Sequence, residues 1–132
     1  MKKEMLSVKE FFETTKEMLA LEHLNDHIEG ALPITVTDIH RPGIALTGFT
    51  QTFLNERIQV LGESEILYLK TRKETERKRD LGNLFSVPLV CFVITHGLDA
   101  PKELLDSCNE QGVPLLRTSM ATTPFIHELT GM

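Results

Sequence analysis

A chain of 132 residues, 41% of them hydrophobic and 25% charged, holds enough apolar surface for one continuous core and not for two. Its formal net charge of -5 sets the long-range field against nucleic acid and anionic lipid, and no segment approaches the roughly 20 apolar residues of a membrane-spanning helix. Two cysteines and an N-terminus without an apolar signal core predict a soluble, unexported protein of the reducing cytoplasm, with neither nucleic acid nor membrane as a partner.

From the N-terminus, Ser7-Val8-Lys9-Glu10 has the form of a capping box, in which the Ser7 hydroxyl accepts from the Glu10 amide and the Glu10 carboxylate reaches back to residue 7. It predicts a short helix with Val8, Phe11 and Phe12 as the apolar stripe. Met18, Leu19, Ala20 and Leu21 fit strand or helix, with a short strand the preferred reading, and residues 26–30 predict a polar turn. Residues 33–39 predict a strand with one buried face, because apolar and polar side chains alternate there and many are β-branched. Arg41-Pro42-Gly43 stops it, since proline lacks the amide a ladder needs, and a loop is expected after His40. Residues 44–49, with Phe53 and Leu54, are apolar enough to be packed. Residues 58–61 predict a second short strand, closed by Gly62. Residues 63–84 read as helical, divisible in two by the charge run at 70–80.

The near-continuous apolar run at 87–95 predicts a central strand covered on both faces, with Cys91 as a buried thiol inside it. Asp99-Ala100-Pro101 is suited to cap and open a helix with Leu104, Leu105 and Cys108 on one face, and Gly112 stands where a left-handed C-terminal residue belongs. Residues 113–118 predict the next strand, which makes a strand-helix-strand unit with a right-handed parallel crossover. Residues 119–123 then lead into a terminal helix through Phe125, Ile126 and Leu129. The expected fold class is α/β: a small two- or three-layer domain with a mixed, partly parallel sheet and flanking helices.

Four constellations could carry chemistry. Asp38, His40 and Arg41 end the predicted strand and could work together on a phosphate or sugar, although the commoner use is structural, with Asp38 and Arg41 pairing with each other or with turn amides. His23 and His27 stand four apart, one face of a helix if helical, with Glu22 and Asp26 nearby; two imidazoles without an HExxH or a cysteine pair make a weak zinc signal, and solvated histidines are the better reading. The cations at 70–79 alternate with Glu74, Glu76 and Asp80, and the pairs Lys70–Glu74, Arg72–Glu76 and Glu74–Lys78 predict a solvated, self-paired helix. Ser119, Thr122 and Thr123 lie between a strand and a helix, with His96 and Gly97 at the end of the preceding strand, so hydroxyls and amides could converge on an anion at the carboxyl ends of parallel strands. The simpler reading of Thr122 or Thr123 is a helix cap.

The segments Asp38-Ile39-His40-Arg41-Pro42-Gly43, residues 56–65 (ERIQVLGESE), residues 87–98 (VPLVCFVITHGL) and residues 111–126 (QGVPLLRTSMATTPFI) follow one another in an order that resembles the N-terminal domain of bacterial HPr kinase/phosphorylase. That resemblance implies an N-terminal α/β domain similar in fold to the first domain of the MurE and MurF peptidoglycan ligases. It also implies a two-domain, hexameric enzyme that phosphorylates and dephosphorylates a serine of HPr, a carrier of the sugar phosphotransferase system, in carbon catabolite repression. The family's ATP and magnesium sites and its docking surface for HPr belong to the C-terminal kinase domain. No Gly-Lys-Ser or Gly-Lys-Thr occurs in these 132 residues, so no catalytic, cofactor-binding or metal-binding residue is assigned here. Residues 1–132 are accordingly expected to be a single domain, the non-catalytic N-terminal part of a longer two-domain enzyme with a regulatory or assembly role. The competing expectations are a stand-alone module binding a small phosphorylated or nucleotide ligand near His96, Ser119 and Thr122, and a protein adaptor using the basic surface at 70–79.

Overall fold

Strands β1 (Leu21–His23), β2 (Ile39–His40), β3 (Ile58–Leu61), β4 (Phe92–Ile94) and β5 (Leu115–Thr118) form one mixed sheet in the order β1-β5-β4-β3-β2. The computed structural model describes residues 5–131. Strands β2 to β5 run parallel, with Gln59 opposite Phe92 and Phe92 opposite Leu115, and β1 closes the β5 edge antiparallel. The helices are α1 (Val8–Thr15), α2 (Gly43–Leu46), α3 (Glu63–Thr71), α4 (Glu74–Leu84), α5 (Lys102–Gln111) and α6 (Thr122–Thr130).

Alternation along the central strands divides the core into two layers. Leu61, Phe92, Ile94 and Leu115 point to one face and pack with Leu46, Ile66, Leu69, Leu81, Leu84 and Leu104 from α2 to α5. Their neighbours Ile58, Val60, Val93 and Leu116 point to the other, where Val8 and Phe11 of α1 and Phe125 and Leu129 of α6 cover them. Each fully buried leucine or phenylalanine contributes about 1.5–3 kcal/mol of transfer free energy, so the paired covering of β3, β4 and β5 is what holds the sheet. The α/β, mixed-sheet class read from the sequence is the observed one.

Several elements form where their residues predict them. The capping box is closed on both sides, with Glu10 N donating to Ser7 Oγ and Ser7 N donating to Glu10 Oε1, each at 3.0 Å. The helical stretch at 63–84 is two helices, broken at Arg72 and Lys73. β4 is the central strand and Gly112 adopts φ 70 after α5.

Others differ, for reasons visible in the pairing. The strand expected at residues 18–21 begins only at Leu21, because α1 ends in a Schellman turn: Ala20 takes φ 52, Leu21 N donates to Lys16 O and Ala20 N to Glu17 O. Residues 33–38 form no ladder strand; Ile34 makes one antiparallel bridge to Leu6, and only Ile39 and His40 reach β3. The loop expected after His40 holds the short helix α2, of which Ala45 and Leu46 are buried while Ile44 is exposed, as is Phe49 beyond its end. Residues 87–91 of the expected strand precede β4 without pairing as a strand, although 89–91 are buried. Asp99 does not cap α5, whose N-cap is Pro101 with no side-chain bond; Asp99 is exposed and 3.6 Å from Arg117.

Candidate functional site

The chain leaves β3 through Gly62 into α3 on one face of the sheet, and leaves β5 through residues 119–121 into α6 on the other. Connections that depart to opposite faces leave a crevice at the carboxyl ends of parallel strands. Here it is a shallow depression of 270 Å³, lined by Arg41, Glu63, Ser64, His96, Ala121, Thr122, Thr123 and Pro124. The first turns of α3 and α6 both open into it.

Its walls are tied together by short contacts. Glu65, only 6% exposed, accepts from Gly62 N at 2.9 Å and takes Arg41 in a two-pronged grip, from Nη2 at 2.8 Å and Nε at 3.1 Å. Thr95 and Thr122 share a buried hydroxyl–hydroxyl hydrogen bond of 2.6 Å. Thr122 N donates to His96 Nε2 at 3.3 Å, which makes Nε2 the acceptor and puts the ring proton on Nδ1, 3.8 Å from Glu63 Oε2. His96 and Gly97 both adopt left-handed φ, 60 and 61, and His96 is held there by its amide donating to Met120 O while Gly97 donates to Thr118 O, each at 2.8 Å. Gly62 sits under the junction: a Cβ there would lie 2.7 Å from Arg41 Nη2 and 2.8 Å from Thr122 Oγ1.

Of the residues expected from the sequence, Arg41, His96, Thr122 and Thr123 meet in this depression, whereas Ser119 is exposed beyond its lining and Asp38 and His40 do not line it. The expected Asp38–Arg41 pair is not formed; Arg41 is claimed by Glu65, which α3 presents one turn above Gly62. Neither Thr122 nor Thr123 caps α6, because Ala121 is the N-cap and Thr122 already stands inside the first turn, bonded to Thr95. Glu63, Ser64, Glu65 and Thr95 were not singled out by sequence reasoning. The spacing of Gly62 and Glu65, N-cap to third helical position, was the available signal for Glu65.

His40 packs against Phe53 with ring centroids 5.5 Å apart, and burial, reinforced by Arg57 and opposed by Glu56, lowers its pKa below the ordinary 6.5. Below about pH 6.5 the unfolded chain therefore takes up a proton that the folded His40 resists, so stability present above that pH is lost as pH falls towards the folded pKa. A urea midpoint that drops between about pH 7.5 and pH 5.5, and drops less in His40→Asn, is the expected result.

His23 and His27 do not share a helix face: His23 is on β1, 3.1 Å from Asn25 Oδ1, and His27 lies exposed in the following turn. No group of three or more His, Cys, Asp and Glu side chains suited to a metal occurs among the described residues. In the charge run, Arg72 reaches Glu76 at 3.9 Å and Lys78 reaches Glu74 at 3.4 Å, as spaced, but Arg72 is held more closely by the buried Asp80 at 2.8 Å, and Arg77 crosses to Glu103 of α5 at 2.9 Å. Lys70 and Glu74 fall on different helices and make no ion pair among the described residues. Cys91 and Cys108 are free and buried, and burial pushes the Cys91 thiol up to about 12 and raises the Cys108 thiol as well, which disfavours the thiolate at both. No helix among the described residues is long and apolar enough to cross a membrane.

The family model described as HPr Serine kinase N terminus matches residues 6–132. An HPr kinase/phosphorylase of Chloroherpeton thalassium is 37% identical over 98% of this chain and 38% of its own length, and one of Clostridium perfringens is 40% identical over 77% of this chain and 33% of its own. The chain thus spans little more than a third of the length of the curated relatives it matches. Among solved structures, the CBS and DRTGG domains of the regulatory region of Clostridium perfringens pyrophosphatase, complexed with its activator diadenosine tetraphosphate, superpose with a TM-score of 0.62 at 11% identity. The match covers 89% of this chain and 45% of that one, and shows likeness of fold.

Proposed function

Because the chain belongs to the HPr serine kinase N-terminus family, we propose that it is the regulatory and assembly domain of a bifunctional, ATP-dependent kinase/phosphorylase acting on a serine of HPr. The observation that carries this reading is the match itself, which runs over nearly all of this chain and about a third of enzymes named for that activity. Phosphoryl transfer needs a phosphate cradle, a metal and a base aligned together, and no Walker lysine is present in these residues. The cradle, the magnesium and ATP sites and the HPr docking surface belong, on this proposal, to a kinase domain in the same polypeptide, in a hexameric cytoplasmic enzyme. The 132-residue domain should transfer no phosphate from ATP to HPr, while the same domain joined to its kinase domain should. Turnover by the isolated domain would overturn the assignment. A kinase domain that assembled and responded to effectors equally well without it would remove the regulatory role.

A second reading is favoured by the depression at Arg41, His96, Thr122 and Thr123, which lies where open parallel sheets take ligands. On it, this domain binds a small phosphorylated or nucleotide ligand. The fold resembles part of a regulatory region solved with a nucleotide activator, a likeness of fold that supports this reading by analogy alone.

A further inference from the structure

The depression does not end at Glu63. That residue also lines a second hollow of about 400 Å³, formed with Ile66, Leu67, Lys70 and Leu98, so the two lie side by side along α3 with Glu63 between them. Their chemistry changes in order. At the α6 end stand Arg41, Ser64 and Thr123; at the junction is the Glu63 carboxylate, 70% exposed; beyond it Leu67, 63% exposed, and Leu98 line the second hollow with Ile66 and Lys70. Leu67 is out of place on a water-facing position of a helix whose other leucine, Leu69, is fully buried.

Resting on the reading of the crevice as a ligand site, we propose that this groove takes a nucleoside monophosphate, with phosphate at Arg41 and Thr123, ribose hydroxyls on Glu63, and the base between Leu67 and Leu98. An acidic side chain is the natural acceptor for a ribose diol. Glu63 and Leu67 are one helical turn apart, about 6 Å, which is room for the sugar between the two ends. A free sugar phosphate would leave the apolar half wet, and an apolar ligand would leave the polar half unfilled. The phosphate end is sparing in donors: Glu65 holds two of the Arg41 nitrogens, Thr122 N is spent on His96, and Pro124 has no amide. With the Glu63 carboxylate opposing further negative charge, and Lys70 set beyond it in the second hollow, the groove favours one phosphate over three, and so a ligand distinct from ATP.

The test is an amide-signal titration of the 132-residue chain, whose cores close within residues 5–131, with AMP, UMP, ATP, ribose 5-phosphate and inorganic phosphate. The expected result is that a monophosphate shifts Glu63, Leu67, Leu98 and Thr123 together, and binds about tenfold more tightly than ribose 5-phosphate and than ATP. Leu67→Gln, a neutral change at an exposed position that does not threaten folding, should weaken the nucleotide by about tenfold and leave ribose 5-phosphate unchanged. If ribose 5-phosphate binds as well as the nucleotides, or Leu67→Gln has no effect, the nucleotide assignment is overturned while the crevice reading stands. If none of the five compounds shifts these signals, both fall.

Discussion

Replacing Asn25 by alanine should lower the unfolding free energy by about 2–4 kcal/mol, because it strands two buried backbone groups at once. Asn25, 9% exposed, donates from Nδ2 to Val113 O at 2.9 Å and accepts from Leu115 N at 3.0 Å, so its amide extends the β1–β5 pairing with a side chain where the backbone of β1 has turned away. The partners are 88 and 90 residues away, which makes the contact a clasp between the first strand and the last. Asn25→Asp is the informative companion. It keeps the acceptor for Leu115 N but sets a carboxylate oxygen against the Val113 carbonyl, and should be destabilised as well rather than rescued. Urea unfolding followed by circular dichroism measures both, and an Asn25→Ala midpoint equal to that of the parent would mean that water satisfies Val113 and Leu115 in its place.

That clasp also marks where the sequence stops being legible. The capping box at Ser7 and Glu10, the left-handed Gly112 and the break within 63–84 are local, set by residues within a few positions of each other, and they form as their patterns predict. The alternation at 33–39 is equally clear in the sequence and misleads, because a strand needs a partner as well as a pattern, and β3 offers its parallel edge only to Ile39 and His40. The same holds for residues 87–91, which are buried as read but lie ahead of the register that pairs Gln59 with Phe92. Within the crevice, the clustering of His96 and Thr122 at strand ends followed from the strand-helix-strand reading. Arg41 was expected to pair with Asp38 or with turn amides and instead finds its partner 24 residues on, at Glu65, because α3 brings a buried carboxylate over Gly62 that the turn around Pro42 cannot supply.

Gly62→Ala should cost about 1–3 kcal/mol, although nothing in the local backbone calls for glycine. Its φ of -96 and ψ of -164 are open to any residue, so no conformational strain enters. The cost comes from what lies over it: the new Cβ would stand 2.7 Å from Arg41 Nη2 and 2.8 Å from Thr122 Oγ1. A free arginine tip would swing aside cheaply, but this one is bound twice to Glu65, and Thr122 is fixed at the start of α6 by its buried bond to Thr95. Either the Arg41–Glu65 grip opens or the first turn of α6 moves away from β3, and both dismantle the wall of the crevice. Gly82→Ala is the control. It lies inside α4 with nothing within 4 Å of its would-be Cβ, and alanine there should gain about 0.5–1 kcal/mol from helix propensity alone. Opposite signs for the two glycines, together with displaced amide signals at Arg41 and Thr122 only in Gly62→Ala, are the expected outcome. A Gly62→Ala protein as stable as the parent, with those signals unmoved, would show that Arg41 and Thr122 do not close over Gly62 and that the crevice has room for a methyl group at its wall.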